Sequence, residues 1–118
     1  MAERSEAELV AEARVRITEV DAPAAIAARA GGSILLDVRE LNEWNLFRIP
    51  GAVHIPIGQL GPDAAVRVPR DHDVIVYCNA GSRSVLAADK LQTMGWTHAR
   101  ALAGGVRAWM QAGGELEE

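Results

Sequence analysis

The chain of 118 residues holds one cysteine, one phenylalanine, one tyrosine and three histidines. A single cysteine closes no intrachain disulfide, so dithiol redox chemistry would need a thiol from another molecule. His54, His72 and His98 are scattered without zinc-ligand spacing, which predicts surface or capping histidines and no metal. No Lys/Arg-rich run is present, and the formal net charge is −4. Neither feature supports binding to nucleic acid or to a membrane surface. No apolar run approaches membrane-spanning length, and Met1-Ala2-Glu3-Arg4-Ser5-Glu6 is too charged for a signal peptide. A cytoplasmic location is therefore expected. A glycine-rich dinucleotide fingerprint and a P-loop are both missing.

What remains is an ordinary globular composition, 49% hydrophobic and 24% charged, of a length that suits one domain with a real core. The chain is organised around Val74 to Ser84. Val74-Ile75-Val76-Tyr77 reads as a buried strand, and Val85, Leu86, Ala88 and Leu91 recur at helical spacing after it. Between them lies Cys78-Asn79-Ala80-Gly81-Ser82-Arg83-Ser84. A cysteine at a strand end is ordinarily a small core hydrophobe. Here Gly81 lets the backbone curl, Ser82 and Ser84 offer donors, and Arg83 adds a permanent cation. Backbone N–H groups and the positive end of a helix dipole favour an anion, so the Cys78 thiol is expected to ionise readily and act as a nucleophile. Only Asn79, Ala80, Gly81 and Ser82 separate Cys78 from Arg83, one residue fewer than in the phosphatase type of cysteine loop. A ring that tight suits one extra sulfur atom better than a tetrahedral oxyanion.

The other elements follow in order. Ala7 to Ala13 reads as a short amphipathic helix, and Val15-Arg16-Ile17-Thr18 alternates as an edge strand would. Asp21-Ala22-Pro23 caps an alanine-rich helix that Gly31-Gly32 stops near Ala30. Ser33 to Arg39 is a strand covered on both faces, with Asp37, Arg39 and Glu40 at its carboxyl end. Leu41 to Leu46 forms a short helix carrying Glu43 and Trp44. Ile49-Pro50-Gly51-Ala52 turns into the strand Val53-His54-Ile55. A helical turn and a surface loop fill Pro56 to His72. Ala99 to Leu102 is the last strand, and Gly104-Gly105 leads into the helix Val106 to Ala112. The acidic tail Glu115 to Glu118 is expected to be solvated, and Trp44, Trp96 and Trp109 to be packing residues. Strands alternating with helices imply an α/β fold with a mainly parallel sheet and the site at the strands' carboxyl ends.

Four runs together resemble the rhodanese domain: Leu35 to Glu40, Ile49 to Pro56, Tyr77 to Ser84, and Leu102 to Trp109. The resemblance implies a sheet of about five strands flanked by helices on both faces. It divides the chain into a helical extension (1–14), a rhodanese-like domain (15–114) and the tail (115–118). It also implies a sulfurtransferase without metal or organic cofactor. The loop cysteine takes a sulfane sulfur from thiosulfate or a persulfide donor and passes it to a thiophilic acceptor, whether cyanide, a thiol or a protein thiol. Cys78 and Arg83 fall on the catalytic positions, and Asn79, Ala80, Gly81, Ser82 and Ser84 on the persulfide cradle. Asp37 and Arg39 take supporting roles, with Glu43 as the expected ion-pair partner of Arg39. The oligomeric state is left open. A sulfur-carrier or regulatory module is the alternative, and a small phosphatase or arsenate reductase is disfavoured by the short loop. Phe47-Arg48 stands where the family usually has Gly-His, which questions the local turn and places a surface arginine there.

Overall fold

The computed structural model describes residues 4–118. Met1, Ala2 and Glu3, part of the charged start, lie outside the described residues. Five strands, β1 (Glu19–Val20), β2 (Ile34–Asp37), β3 (Val53–His54), β4 (Val74–Tyr77) and β5 (Ala99–Leu102), form one sheet in the order β1-β5-β4-β2-β3. Every pairing is parallel. Among the described residues six α-helices are interleaved: α1 (Glu6–Arg16), α2 (Ala22–Ala30), α3 (Leu41–Leu46), α4 (Pro62–Arg67), α5 (Ser82–Thr93) and α6 (Gly105–Gln111). The order of strands reverses between β2 and β4, which opens a crevice beyond their carboxyl ends.

Strand parity decides which face of the sheet each side chain covers. Val74, Val76 and Cys78 pack with Leu36, Val38 and the α1 and α5 residues Val10, Ala13, Val85 and Leu91. Ile75 and Tyr77 turn the other way, with Leu35, and meet Ala22 and Ala25 of α2 and Val106 and Trp109 of α6. Cys78 continues the α5 side of β4, so its side chain meets the incoming end of α5.

Asp21 caps α2, its carboxylate accepting from the Ala24 N–H at 2.9 Å, as its place before Pro23 predicts. The strand expected over Val15 to Thr18 is not formed. Helix α1 runs on to Arg16, and β1 is the pair of residues after Thr18. Val10, Ala13 and Ile17 follow a helical repeat and are all buried against the α5 layer, so packing overrides the local alternation.

The acidic tail is docked, not free. Arg48 and Glu117 exchange both backbone hydrogen bonds at 2.9 Å, and Leu116 packs against the same buried cluster as Phe47. Arg48 Nε also meets Glu117 Oε1 at 3.1 Å, and its guanidinium lies 5.0 Å from the Trp44 ring centroid. It is thus a half-buried clasp and not the surface arginine expected. Phe47 has φ −168°, extended backbone that needs no glycine, so the turn forms without one. Trp96 and Trp109 are fully buried, and Trp44 stacks on His54 with ring centroids 4.7 Å apart. Among the described residues no helix is long and apolar enough to cross a membrane.

Candidate active site

Cys78 ends β4 with 1% of its surface exposed. Its Sγ accepts the Gly81 N–H at 3.1 Å and the Ser84 N–H at 3.4 Å, and its S–H donates to Ser84 Oγ at 3.5 Å. The Ser84 hydroxyl donates in turn to the Gly81 carbonyl at 3.2 Å, which fixes its orientation. Gly81 is the N-cap of α5 at φ 111°, a left-handed conformation that favours glycine. Two of the N–H groups expected around the sulfur therefore reach it. Those of Asn79, Ala80, Ser82 and Arg83 have no acceptor among the described residues. Such unengaged donors at a helix start suit an anionic atom added beyond the sulfur. Ala80 and Ser82 are exposed and Asn79 half-buried, so the loop opens to solvent above a covered thiol.

Helix α6 holds the loop from behind. Val106 N–H donates to the Cys78 carbonyl at 2.8 Å and Arg107 N–H to the Asn79 carbonyl at 3.3 Å. The Gly104-Gly105 pair makes this approach possible, a role its reading as a lead-in to the last helix misses. Its signal was there: two glycines just beyond a strand's carboxyl end, in a sheet whose crevice lies at that end.

The charged residues pair differently from expectation. Glu43 does not partner Arg39. It grips Arg83, Nη1 to Oε1 at 2.7 Å and Nη2 to Oε2 at 2.9 Å, in a bidentate pair at the rim. The Glu40 N–H donates to the same Oε1 at 2.9 Å, which ties the carboxylate into the first turn of α3. Arg83, assisted by that N–H and opposed by partial burial, holds the Glu43 carboxyl down at about 2.

Arg39 instead pairs with Asp37, both side chains at most 1% exposed, with Nη2 2.8 Å from Oδ2. Nη2 also reaches the Phe47 carbonyl at 2.7 Å. Asp37 lies in register with Tyr77, on the opposite side of the sheet from Cys78. Burial, and then the Asp37 charge, pushes the Tyr77 hydroxyl far above its usual range, and it accepts the Ile49 N–H at 3.2 Å. Asp37 and Arg39 thus brace β2 against β4 and make no contact with the sulfur. His54 meets the Arg39 carbonyl at 2.8 Å, and among the described residues no cluster of metal-binding side chains occurs. A cleft of about 290 Å³ between Arg29, Ser33 and Pro50 shares no residue with the loop.

A family model of the rhodanese-like domain matches residues 21–112. A sulfurtransferase of Allochromatium vinosum is 35% identical over 80 residues, covering 68% of this chain and 74% of that one. Thiosulfate sulfurtransferase PspE of Escherichia coli is 38% identical over 64 residues, covering 53% and 62% respectively. A solved structure from Rhodopseudomonas palustris, described as a protein of unknown function and possible tyrosine phosphatase, matches with a TM-score of 0.86. It is 28% identical and covers 99% of this chain and 97% of that one. Other curated relatives are longer, and the chain spans 40%, 26% and 19% of three of them. The matched stretch takes in β2 to β5, the Cys78 loop and α6, and the chain belongs to the rhodanese-like domain family.

Proposed function

We propose that the protein is a sulfurtransferase whose Cys78 carries the sulfur as a persulfide. The observation that carries this reading is the Cys78 Sγ held by the Gly81 and Ser84 N–H groups, with four further N–H donors of the same loop unengaged. With thiosulfate as donor, the thiolate attacks the outer sulfur and the S–S bond breaks toward sulfite: Cys78–S⁻ + S–SO₃²⁻ → Cys78–S–S⁻ + SO₃²⁻. The terminal anion then lies where the unengaged N–H groups and the start of α5 stabilise it. Attack by cyanide on that terminal sulfur gives thiocyanate and restores the thiolate, and a thiol acceptor takes the sulfur in the same way. Ser84 positions the sulfur, while Asp37 and Arg39 hold β2 and β4 in register beneath the loop. The sulfurtransferase and thiosulfate sulfurtransferase relatives support the same class of donor and acceptor.

Intact-mass measurement after thiosulfate treatment is the direct test. The native chain gains one sulfur atom and Cys78→Ser gains none. A native chain that gains no sulfur from any sulfane donor would refute the reading. Persulfide formation without turnover onto cyanide or small thiols would make the protein a carrier that hands sulfur to a specific partner.

A further inference from the structure

The Arg83 guanidinium stands at the loop that holds the sulfur, yet its two terminal nitrogens are both taken by Glu43. An arginine whose fork is filled by a carboxylate presents little net charge to an incoming anion. The carboxylate stays ionised at any working pH, and the two side chains, 22% and 30% exposed, meet as a bidentate pair at the rim. The other charges near the loop, Arg107 and Glu40, are exposed.

We propose that Glu43 is a specificity-determining residue: by neutralising Arg83 at the rim of the Cys78 loop it turns the site away from dianionic thiosulfate and toward sulfane sulfur borne on an organic group of lower charge. The preferred donor class is then an organic persulfide. Its transfer is balanced without an added oxidant: Cys78–S⁻ + R–S–SH → Cys78–S–SH + R–S⁻. The inference rests on the sulfurtransferase reading above, and its test separates the two.

The probes are thiosulfate, with two charges, and benzenethiosulfonate, with one. Glu43→Gln frees the Arg83 charge while its amide oxygen can still accept the Glu40 N–H. Thiosulfate kcat/KM should rise roughly tenfold and that of benzenethiosulfonate by only about threefold, because the second charge doubles the coulombic energy. Arg83→Gln leaves an unpaired carboxylate and should lower thiosulfate kcat/KM by roughly tenfold. The double variant should return to within about twofold of native. Thiosulfate kcat/KM that is unchanged or lower in a folded Glu43→Gln protein would overturn the inference. A measurement on the native protein needs no variant: a neutralised rim predicts thiosulfate kcat/KM that is flat or rising with added salt. A steep fall with salt would reveal an uncompensated cation and also overturn it. If neither probe places sulfur on Cys78, the sulfurtransferase reading itself fails.

Discussion

Gly105 lies against the back of the Cys78 loop: a Cβ built on it would sit 2.5 Å from the carbonyl oxygens of both Cys78 and Asn79. The next N–H, that of Val106, donates to the Cys78 carbonyl at 2.8 Å. The close approach of α6 and the curvature of the loop are therefore one feature. Gly105 also adopts φ 61°, so any side chain there adds backbone strain to the clash.

Gly105→Ala should consequently cost about 3 kcal/mol of stability, from strain plus the displaced loop, and should slow sulfur loading in whatever folds. Gly113→Ala is the matched control. It has φ 83° with nothing within 4 Å of the added Cβ, so only the left-handed strain of about 1 kcal/mol applies. Urea unfolding of both variants checks this. Equal losses would mean that α6 is not seated on the loop as described.

Sequence alone made the strand–loop–helix unit legible because its signals are local. β-Branched residues run into a glycine-bearing turn and then into a 3.6-residue repeat, and period-2 parity along β4 places Cys78 on the α5 side. Local signals misled at Val15 to Thr18, where two readings compete and only the buried face of α1 decides between them. Glu43 with Arg83, and Arg48 with Glu117, are separated by 40 and 69 residues. Nothing near either partner in the chain encodes such pairings, and the family resemblance, which implies Arg39 as the partner of Glu43, does not supply them either. The charge of the tail predicts solvation, yet Leu116 and the Glu117 backbone dock it.

Asp37→Asn should be among the most damaging single changes away from the loop. It leaves the Arg39 guanidinium buried without its counter-charge, which costs about 3–5 kcal/mol. Asp37→Leu combined with Arg39→Met removes both charges and should recover much of that loss. Unfolding midpoints decide it. A double variant no better than Asp37→Asn would show that the hydrogen bond from Arg39 to the Phe47 carbonyl, not the charge pair, holds this corner.

The Glu43–Arg83 pair should leave a pH signature in stability. The Glu43 carboxyl sits at about 2 in the folded protein against an ordinary 4.5. A carboxyl lowered by folding contributes fully above about pH 4.5 and loses that contribution as pH falls toward about 2. After solvent screening at the rim, the amount is on the order of 1 kcal/mol. Native protein should exceed Glu43→Gln by that margin at pH 6, and the gap should close on acidification. A gap of the same size at both ends would uncouple the pair from folding.

Loop length and the filled arginine fork make a shared prediction about phosphate. A cysteine phosphatase needs its loop N–H groups and its arginine fork to satisfy the phosphoryl oxygens while phosphorus lies in line with the thiolate. Here four residues separate Cys78 from Arg83, and the two terminal nitrogens of Arg83 bond Glu43 at 2.7 and 2.9 Å. A phosphoryl group would meet an arginine whose bidentate pair and charge are already given to Glu43, and only its remaining N–H groups could turn to the phosphoryl oxygens. Leaving such oxygens unpaired costs several kcal/mol, about a thousandfold in rate. The native protein should therefore load sulfur from thiosulfate and show no hydrolysis of aryl phosphates. Inserting one glycine after Gly81 should depress sulfur transfer, because it moves the Ser84 N–H away from the Cys78 sulfur. Combining that insertion with Glu43→Gln widens the ring and frees the fork together, and is the variant in which phosphate analogues should first bind. Robust aryl phosphatase turnover by the native chain, lost in Cys78→Ser, would instead move the assignment to the activity suggested for the Rhodopseudomonas palustris protein.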